Sequence, residues 1–365
     1  MKRRIVALRD KTDEAAVGGR TATSGESSPA RQIANDPMCR FVTCPHVAYL
    51  PAAGRTVRLE TNSLKLLEHM VNLFACYSTT PHKSPEFLWR LVVEPNSRCK
   101  PPWPRRSTFS DEGTRFAQFG QRNFLAVDLD AREAIGFVSE GLFEDAHGFT
   151  SPFVDTLFYM TVGVLGLVPF TAACVLSGLN ALLVLGAPNH GKTTASYVAT
   201  RNGLTLYSDQ SVFLEIVNNE LRAWADFVPI AFRPETLHHL PELKSQTRPF
   251  SYCDFRFYYM PKDLMRSSQL GHPTPSCCVV LERGKSSVPR LQALAASELC
   301  RCLCEHIAFK DDRRFDKQQQ QVVAALARLP AYRLAYDSDP ATAAPFFQAL
   351  LSKHGATNPS KTEGF

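Results

Sequence analysis

Ala181-Leu182-Leu183-Val184-Leu185-Gly186-Ala187-Pro188-Asn189-His190-Gly191-Lys192-Thr193-Thr194 decides how this chain is read. Five apolar residues read as a buried strand, and the eight that follow fit G-x-x-x-x-G-K-[ST] without a mismatch. The bare pattern arises by accident in a chain of this length only about once in a hundred. Glycines at 186 and 191 let the backbone curl until successive N–H groups point inward, which suits phosphate oxygens. In such a loop Lys192 reaches the β- and γ-phosphates of a nucleotide and the Thr193 hydroxyl ligates Mg²⁺. Gly186 to Thr194, including Ala187, Pro188, Asn189 and His190, is therefore the expected ATP-binding segment. His190 is unusual there and has two readings, a side chain in solvent or a contact to the γ-phosphate.

A helix is expected from Lys192 to about Asn202, stopped by Gly203, with a strand over Leu204 to Ser208. Ligands of open α/β sheets bind at the C-terminal strand ends, and Asp209 falls there, 17 residues after Lys192. It is placed to approach Mg²⁺ or the attacking nucleophile; the plainer reading is an acidic turn cap. Upstream, Ala172 to Leu176 pairs with Ala181 to Leu185 around Ser177-Gly178-Leu179-Asn180. Leu157 to Leu176 has no formally charged residue over twenty positions, long enough to span a bilayer. A strand delivering a phosphate loop must sit in a soluble sheet with buried neighbours, so this run reads as a buried helix followed by strands. Downstream, Val212 to Val217 and Glu220 to Ala225 form an expected hairpin around Asn218-Asn219. Helices follow over Thr236 to Leu240, Ala295 to Ile307, Gln318 to Leu329 and Thr342 to Ser352, with a strand over Cys277 to Leu281.

The first half is less regular. A helix over Ser63 to Tyr77 and strands over Phe87 to Val93 and Phe124 to Asp128 suggest a small α/β module spanning 39–150. The phosphate-loop domain is assigned to 151–351. Residues 1–38 and 352–365 have too few large apolar side chains for a core and read as flexible tails.

Composition narrows the function. The chain has 365 residues, 44% hydrophobic and 21% charged, an ordinary globular make-up that disfavours disorder, collagen and coiled coil. The net charge of +6 comes from scattered residues, so a nucleic-acid face is not indicated. Eleven irregularly spaced cysteines with no export signal read as reduced thiols in the cytoplasm. Cys39, Cys44 and His46, and then Cys300, Cys302, Cys304 and His306, are the two candidate metal clusters; alternate helix positions do not share a face, which argues against the second. No Asn-Lys-x-Asp guanine reader and no ABC-type signature occurs, leaving a kinase or an ATP-dependent regulator.

Phe170-Thr171-Ala172-Ala173-Cys174-Val175, the glycine loop and Gly203-Leu204-Thr205-Leu206-Tyr207-Ser208-Asp209-Gln210 together resemble the HPr kinase/phosphorylase family. The likeness is to its divergent HPr kinase-related branch, which includes lasso-peptide precursor kinases. It extends through Pro229 to Pro234, Leu240 to Leu243, Val279 to Gly284 and Tyr332 to Asp337. The resemblance implies an α/β fold similar to phosphoenolpyruvate carboxykinase-like P-loop proteins, a mixed sheet with flanking helices. It also implies an enzyme that uses ATP and Mg²⁺ to phosphorylate serine on a small protein or peptide. In the matching positions Asp209 takes the serine proton, Lys192 and Thr193 hold phosphate and Mg²⁺, and Glu235 contacts the metal; a helix-start carboxylate is the other reading of Glu235. Two departures stand out. Family members carry histidine where this chain has Thr171 and a second acid where it has Gln210, which weakens the case for phosphorolysis and for tight metal binding. The alternatives are a nucleotide-binding regulator that transfers nothing and a small-molecule kinase. No membrane partner is expected, and a homo-oligomer is compatible.

Overall fold

The computed structural model describes residues 42–355, apart from 78, 80, 83, 96–99, 102, 112, 253–254, 261–271, 285–287, 309–311 and 338. The expected tail 1–38, Cys39 and residues 356–365 lie outside these. The described residues from Thr43 onward make one compact unit.

Two strands, β1 (His46–Ala52) and β2 (Arg55–Thr61), pair around Ala53-Gly54, both with positive φ. That is the left-handed turn geometry that matches strand twist. Gly54 is doubly constrained, because a Cβ there would lie 2.5 Å from the Trp224 ring. Helix α1 (Leu64–Phe74) starts at Ser63, whose side chain accepts the Leu66 N–H, and buries Leu66, Met70, Leu73 and Phe74. It leads into β3 (Phe87–Glu94), followed by β4 (Ser107–Asp111), β5 (Thr114–Phe119), β6 (Asn123–Asp128) and β7 (Glu133–Ser139). The sheet order is β1-β2-β3-β7-β6-β5-β4.

The expected helix over 63–77 and the strands over 87–93 and 124–128 are thus present, but the module is not small. Its seven-stranded sheet is the largest in the protein. Pro51 disguises β1, and Ser107–Asp111 is a polar edge strand exposed along its length. Gly136 breaks the apolar pattern of β7 because a Cβ would strike Leu91 at 2.7 Å and Leu125 at 2.9 Å.

The chain then coils through α2 (Glu140–Glu144), α3 (Ala146–Gly148), a π-helical segment (Phe149–Val154) and α4 (Asp155–Thr161). The uncharged run 157–176 therefore contains a short buried helix followed by strands, and no helix among the described residues is long and apolar enough to cross a membrane. The core of the first sheet continues past residue 150: Phe153, Leu157 and Phe158 pack with Trp89, and so do Phe213 and Trp224 from later in the chain. Arg55 ties the same regions, donating to Leu165 O at 2.8 Å and pairing with Glu215, which also accepts the Trp224 indole N–H at 2.8 Å.

The second large sheet holds the site. After β8 (Val168–Phe170) come β9 (Ala173–Ser177) and β10 (Asn180–Leu185), then α5 (Lys192–Arg201) and β11 (Thr205–Ser208). A hairpin, β12 (Val212–Val217) and β13 (Glu220–Ala225), turns through Asn218 and Asn219 at φ 52° and 64°, as expected of adjacent asparagines. A small sheet, β14 (Ala231–Phe232), β15 (Arg248–Tyr252) and β16 (Phe255–Tyr259), surrounds α6 (Thr236–His239) and α7 (Leu243–Gln246). Strands β17 (Thr274–Arg283), β18 (Arg290–Ala293) and β19 (Ala331–Tyr336) and helices α8 (Ala296–His306), α9 (Asp316–Leu326) and α10 (Ala344–Gly355) complete the chain. Ser352 to Gly355, expected in the tail, instead close α10.

The six strands run β11-β9-β10-β17-β19-β18, a mixed sheet of parallel and antiparallel pairs. Its side chains alternate faithfully. Val175, Leu182, Val184 and Val279 face α5 and α10, while Cys174, Leu183, Leu185 and Cys278 face α8 and α9. Burial on both faces explains the unbroken apolar strand before the loop, each large side chain contributing roughly 1.5–3 kcal/mol. At the far end of α5, Gly203 at φ 86° makes a full Schellman cap: its N–H bonds Thr200 O and Leu204 N–H bonds Ala199 O.

Candidate functional site

The sheet's construction fixes the glycine loop. Between β10 and α5 the backbone turns through Gly186, Asn189 and Gly191 at φ 147°, 68° and 75°. A Cβ on Gly186 would come 2.9 Å from Leu281 O, and one on Gly191 2.6 Å from the Tyr336 hydroxyl and 2.7 Å from Pro340. Both positions therefore require glycine sterically and conformationally. Gly191 caps α5 without any side-chain acceptor, so the positive end of a ten-residue helix opens into the loop. Lys192 folds over the curl, its Nζ donating to Gly186 O at 2.7 Å and Ala187 O at 3.2 Å.

His190 is half-buried rather than standing out in solvent. Its Nδ1 lies 3.0 Å from Leu281 O, its own carbonyl accepts the Tyr336 hydroxyl, and it lines a second cavity of about 460 Å³ with Gly186 and Ala187. The ring anchors the loop to β17, which explains why a bulky residue occurs in a glycine turn.

Asp209 follows β11 directly. In the sheet β9 lies between β10 and β11 and is antiparallel to both. The two strands still point the same way, so Asp209 and the loop meet at one sheet edge. There Lys192, Thr193, Thr194, Asp209, Gln210 and Glu235 line a single cleft of about 610 Å³. Asp209 is 6% exposed, and its carboxylate oxygens have no hydrogen-bond partner apart from the neighbouring Thr193 hydroxyl. Burial pushes its carboxyl up to about 7, held back by the nearby Thr193 hydroxyl and Lys192 ammonium. Burial in turn lowers the Lys192 ammonium, with Asp209 opposing. A buried carboxylate with so few partners costs free energy unless a ligand supplies a cation or donors.

The residues fit a nucleotide with its metal. Thr193 and Asp209 offer a hydroxyl and a carboxylate, hard oxygen donors of the kind Mg²⁺ takes alongside phosphate oxygens and water. Glu235 is exposed on the cleft wall at the start of α6, and among the described residues no three His, Cys, Asp or Glu side chains converge as a metal site. Thr171 and Gln210, the two departures from the resembled pattern, are both exposed on the rim.

Sequence reasoning missed several contributors. Arg233 and Arg283, both well downstream of the glycine loop in sequence, line the cleft, and Asp155 and Tyr159 reach it from α4. No local pattern marks these residues, because only the tertiary fold brings them together. His306, weighed as a metal ligand, is instead a brace. Its Nδ1 sits 2.7 Å from Cys302 O, and its Nε2 lies 3.1 Å from both the Gly186 N–H, which it can accept, and the Gly186 carbonyl oxygen. Its carbonyl takes the Thr171 N–H at 2.8 Å, so one residue at the end of α8 holds both the loop's first glycine and the β8–β9 turn. Cys300 and Cys302 are half-buried on α8 and Cys304 is exposed, consistent with positions two apart facing different ways.

Comparison with protein-family models and with curated proteins gives no match. Among solved structures the chain is similar to the Hpr(Ser) kinase/phosphatase from Coxiella burnetii, at 11% sequence identity and a TM-score of 0.27, over 51% of this chain and 95% of that one.

Proposed function

We propose that this chain is a kinase that transfers the γ-phosphoryl group of ATP to a serine hydroxyl of a small protein or peptide, with a P-loop domain of the HPr kinase-like type. The observation that carries this reading is Asp209, a buried carboxylate facing only Lys192 and Thr193 of a glycine loop at a helix N-terminus. The loop amides and Lys192 neutralise charge on the phosphates, which positions the γ-phosphorus for in-line attack. Asp209 accepts the hydroxyl proton as the acceptor oxygen bonds to the γ-phosphorus and the bond to the β–γ bridging oxygen breaks, releasing ADP. Mg²⁺, held by Thr193 and Asp209, supplies further charge neutralisation when bound. Its two oxygens let Asp209 serve the cation and the proton together.

The test is phosphate transfer from γ-labelled ATP to a panel of serine peptides, with threonine and alanine versions as controls. Label on serine peptides alone supports the reading; label on none, with ATP bound tightly, favours the second one. That second reading is a nucleotide-binding regulator without transferase activity, and Gln210 and Thr171 in place of an acid and a histidine favour it. A labelled metabolite would indicate a small-molecule kinase.

The brace makes a separate prediction. His306→Ala removes the acceptor of the Gly186 N–H and should weaken Mg-ATP binding about three- to tenfold, the value of one buried hydrogen bond. His306→Gln, which retains an acceptor, should recover part of the loss in the same titration.

A further inference from the structure

The cleft has a second polar pole apart from the glycine loop. Asp155 and Tyr159, one helical turn apart on α4, line its wall together with Ser211, two residues after Asp209. The Tyr159 hydroxyl donates to Ser211 Oγ, which fastens α4 to the segment carrying the proton acceptor. One carboxylate oxygen of Asp155 is buried with no hydrogen-bond partner. Asp226 lies close enough to raise the Asp155 carboxyl after burial has done so, and Arg106 offsets this. Arg106 is itself engaged, donating to Thr156 Oγ1 at 2.5 Å. Asp155 thus brings an unmet acceptor, with a second carboxylate nearby, to the wall of a cleft whose other end carries the glycine loop.

A buried acceptor of this kind is satisfied by a donor from a ligand, and the second carboxylate selects for a positively charged one. We propose that Asp155 is the acceptor-recognition residue of this cleft, binding an amine or guanidinium group that lies near the phosphorylated serine. The proposal rests on the kinase reading and names the class of substrate, a serine in a basic context. Asp155 does not touch the reacting atoms; it positions the acceptor, while Tyr159 sets the distance between that pole and Asp209.

Binding can be measured without turnover. Fluorescent serine peptides flanked by arginine are titrated into the full-length protein by anisotropy, against isosteres in which citrulline replaces each arginine. The expected result is about tenfold tighter binding of the arginine peptides, the value of one charge-assisted hydrogen bond. Asp155→Asn should abolish that preference, and Tyr159→Phe should reduce it, with Mg-ATP affinity unchanged in both. No preference for arginine in the wild-type protein, or a preference surviving Asp155→Asn, overturns the proposal. Loss of Mn²⁺ binding in Asp155→Asn, read by electron paramagnetic resonance, would reassign the residue to the metal and also overturn it. Failure of the wild-type protein to bind Mg-ATP would count against the kinase reading, and the peptide arms report on the basic-acceptor claim separately.

Discussion

Asp209→Asn should retain Mg-ATP binding within a few-fold and lose about 10²–10⁴ in phosphoryl transfer, the usual contribution of a positioned general base. Asparagine keeps the shape and one oxygen but cannot accept the proton. The same substitution should stabilise the protein, and only at higher pH. The carboxyl moves from an ordinary 3.8 to about 7 in the folded chain, so folding favours the protonated form. The resulting cost to stability is absent below about 4, grows as the pH rises through the interval, and is complete above about 7. At full ionisation it is on the order of 4 kcal/mol. Melting of the nucleotide-free protein should therefore show Asp209→Asn above wild type by several degrees at pH 8 and level with it at pH 4. An equal gap at both pH values would show that the carboxyl is not the source.

Gly191→Ala should abolish nucleotide binding and cost roughly 2–5 kcal/mol of stability, combining the left-handed backbone penalty with overpacking. The new methyl group would meet the Tyr336 hydroxyl and Pro340, both held by the β19 segment, so the loop has to move. Gly178→Ala is the matched control. It also has positive φ, 61°, but nothing lies within 4 Å of its Cβ position. It should lose only about 1–2 kcal/mol and bind nucleotide normally. Denaturant melts and calorimetric titration of both variants would separate the cradle from the general cost of left-handed glycine; equal nucleotide affinity in the two would refute its steric basis.

Legibility in the sequence followed locality. The strand, loop and helix around Gly186 to Thr194 were readable because glycine positions, a lysine and an apolar run are all local signals. The Asn218-Asn219 hairpin and the Gly203 cap were readable for the same reason. Asp209 was found through its place at a strand end, a topological argument that survives even though β9 intervenes between β10 and β11. The seven-stranded sheet was mostly missed. Proline in β1, glycine in β7 and a fully exposed β4 each obscure the alternation that marks a strand. His190 and His306 could not be interpreted from the chain alone. Both act through backbone groups of residues about a hundred positions away, Leu281 and Gly186, and no spacing encodes such a contact.

Isothermal titration of Mg-ATP into the wild-type protein and into Lys192→Ala tests the central claim most directly. Saturable one-site binding by the wild type, lost or weakened at least a hundredfold in the variant, is the expected result, since the ammonium's contact with the terminal phosphates is charge-assisted and buried. No saturable binding by the wild type, or equal affinity in both proteins, would contradict a triphosphate seated in the glycine loop.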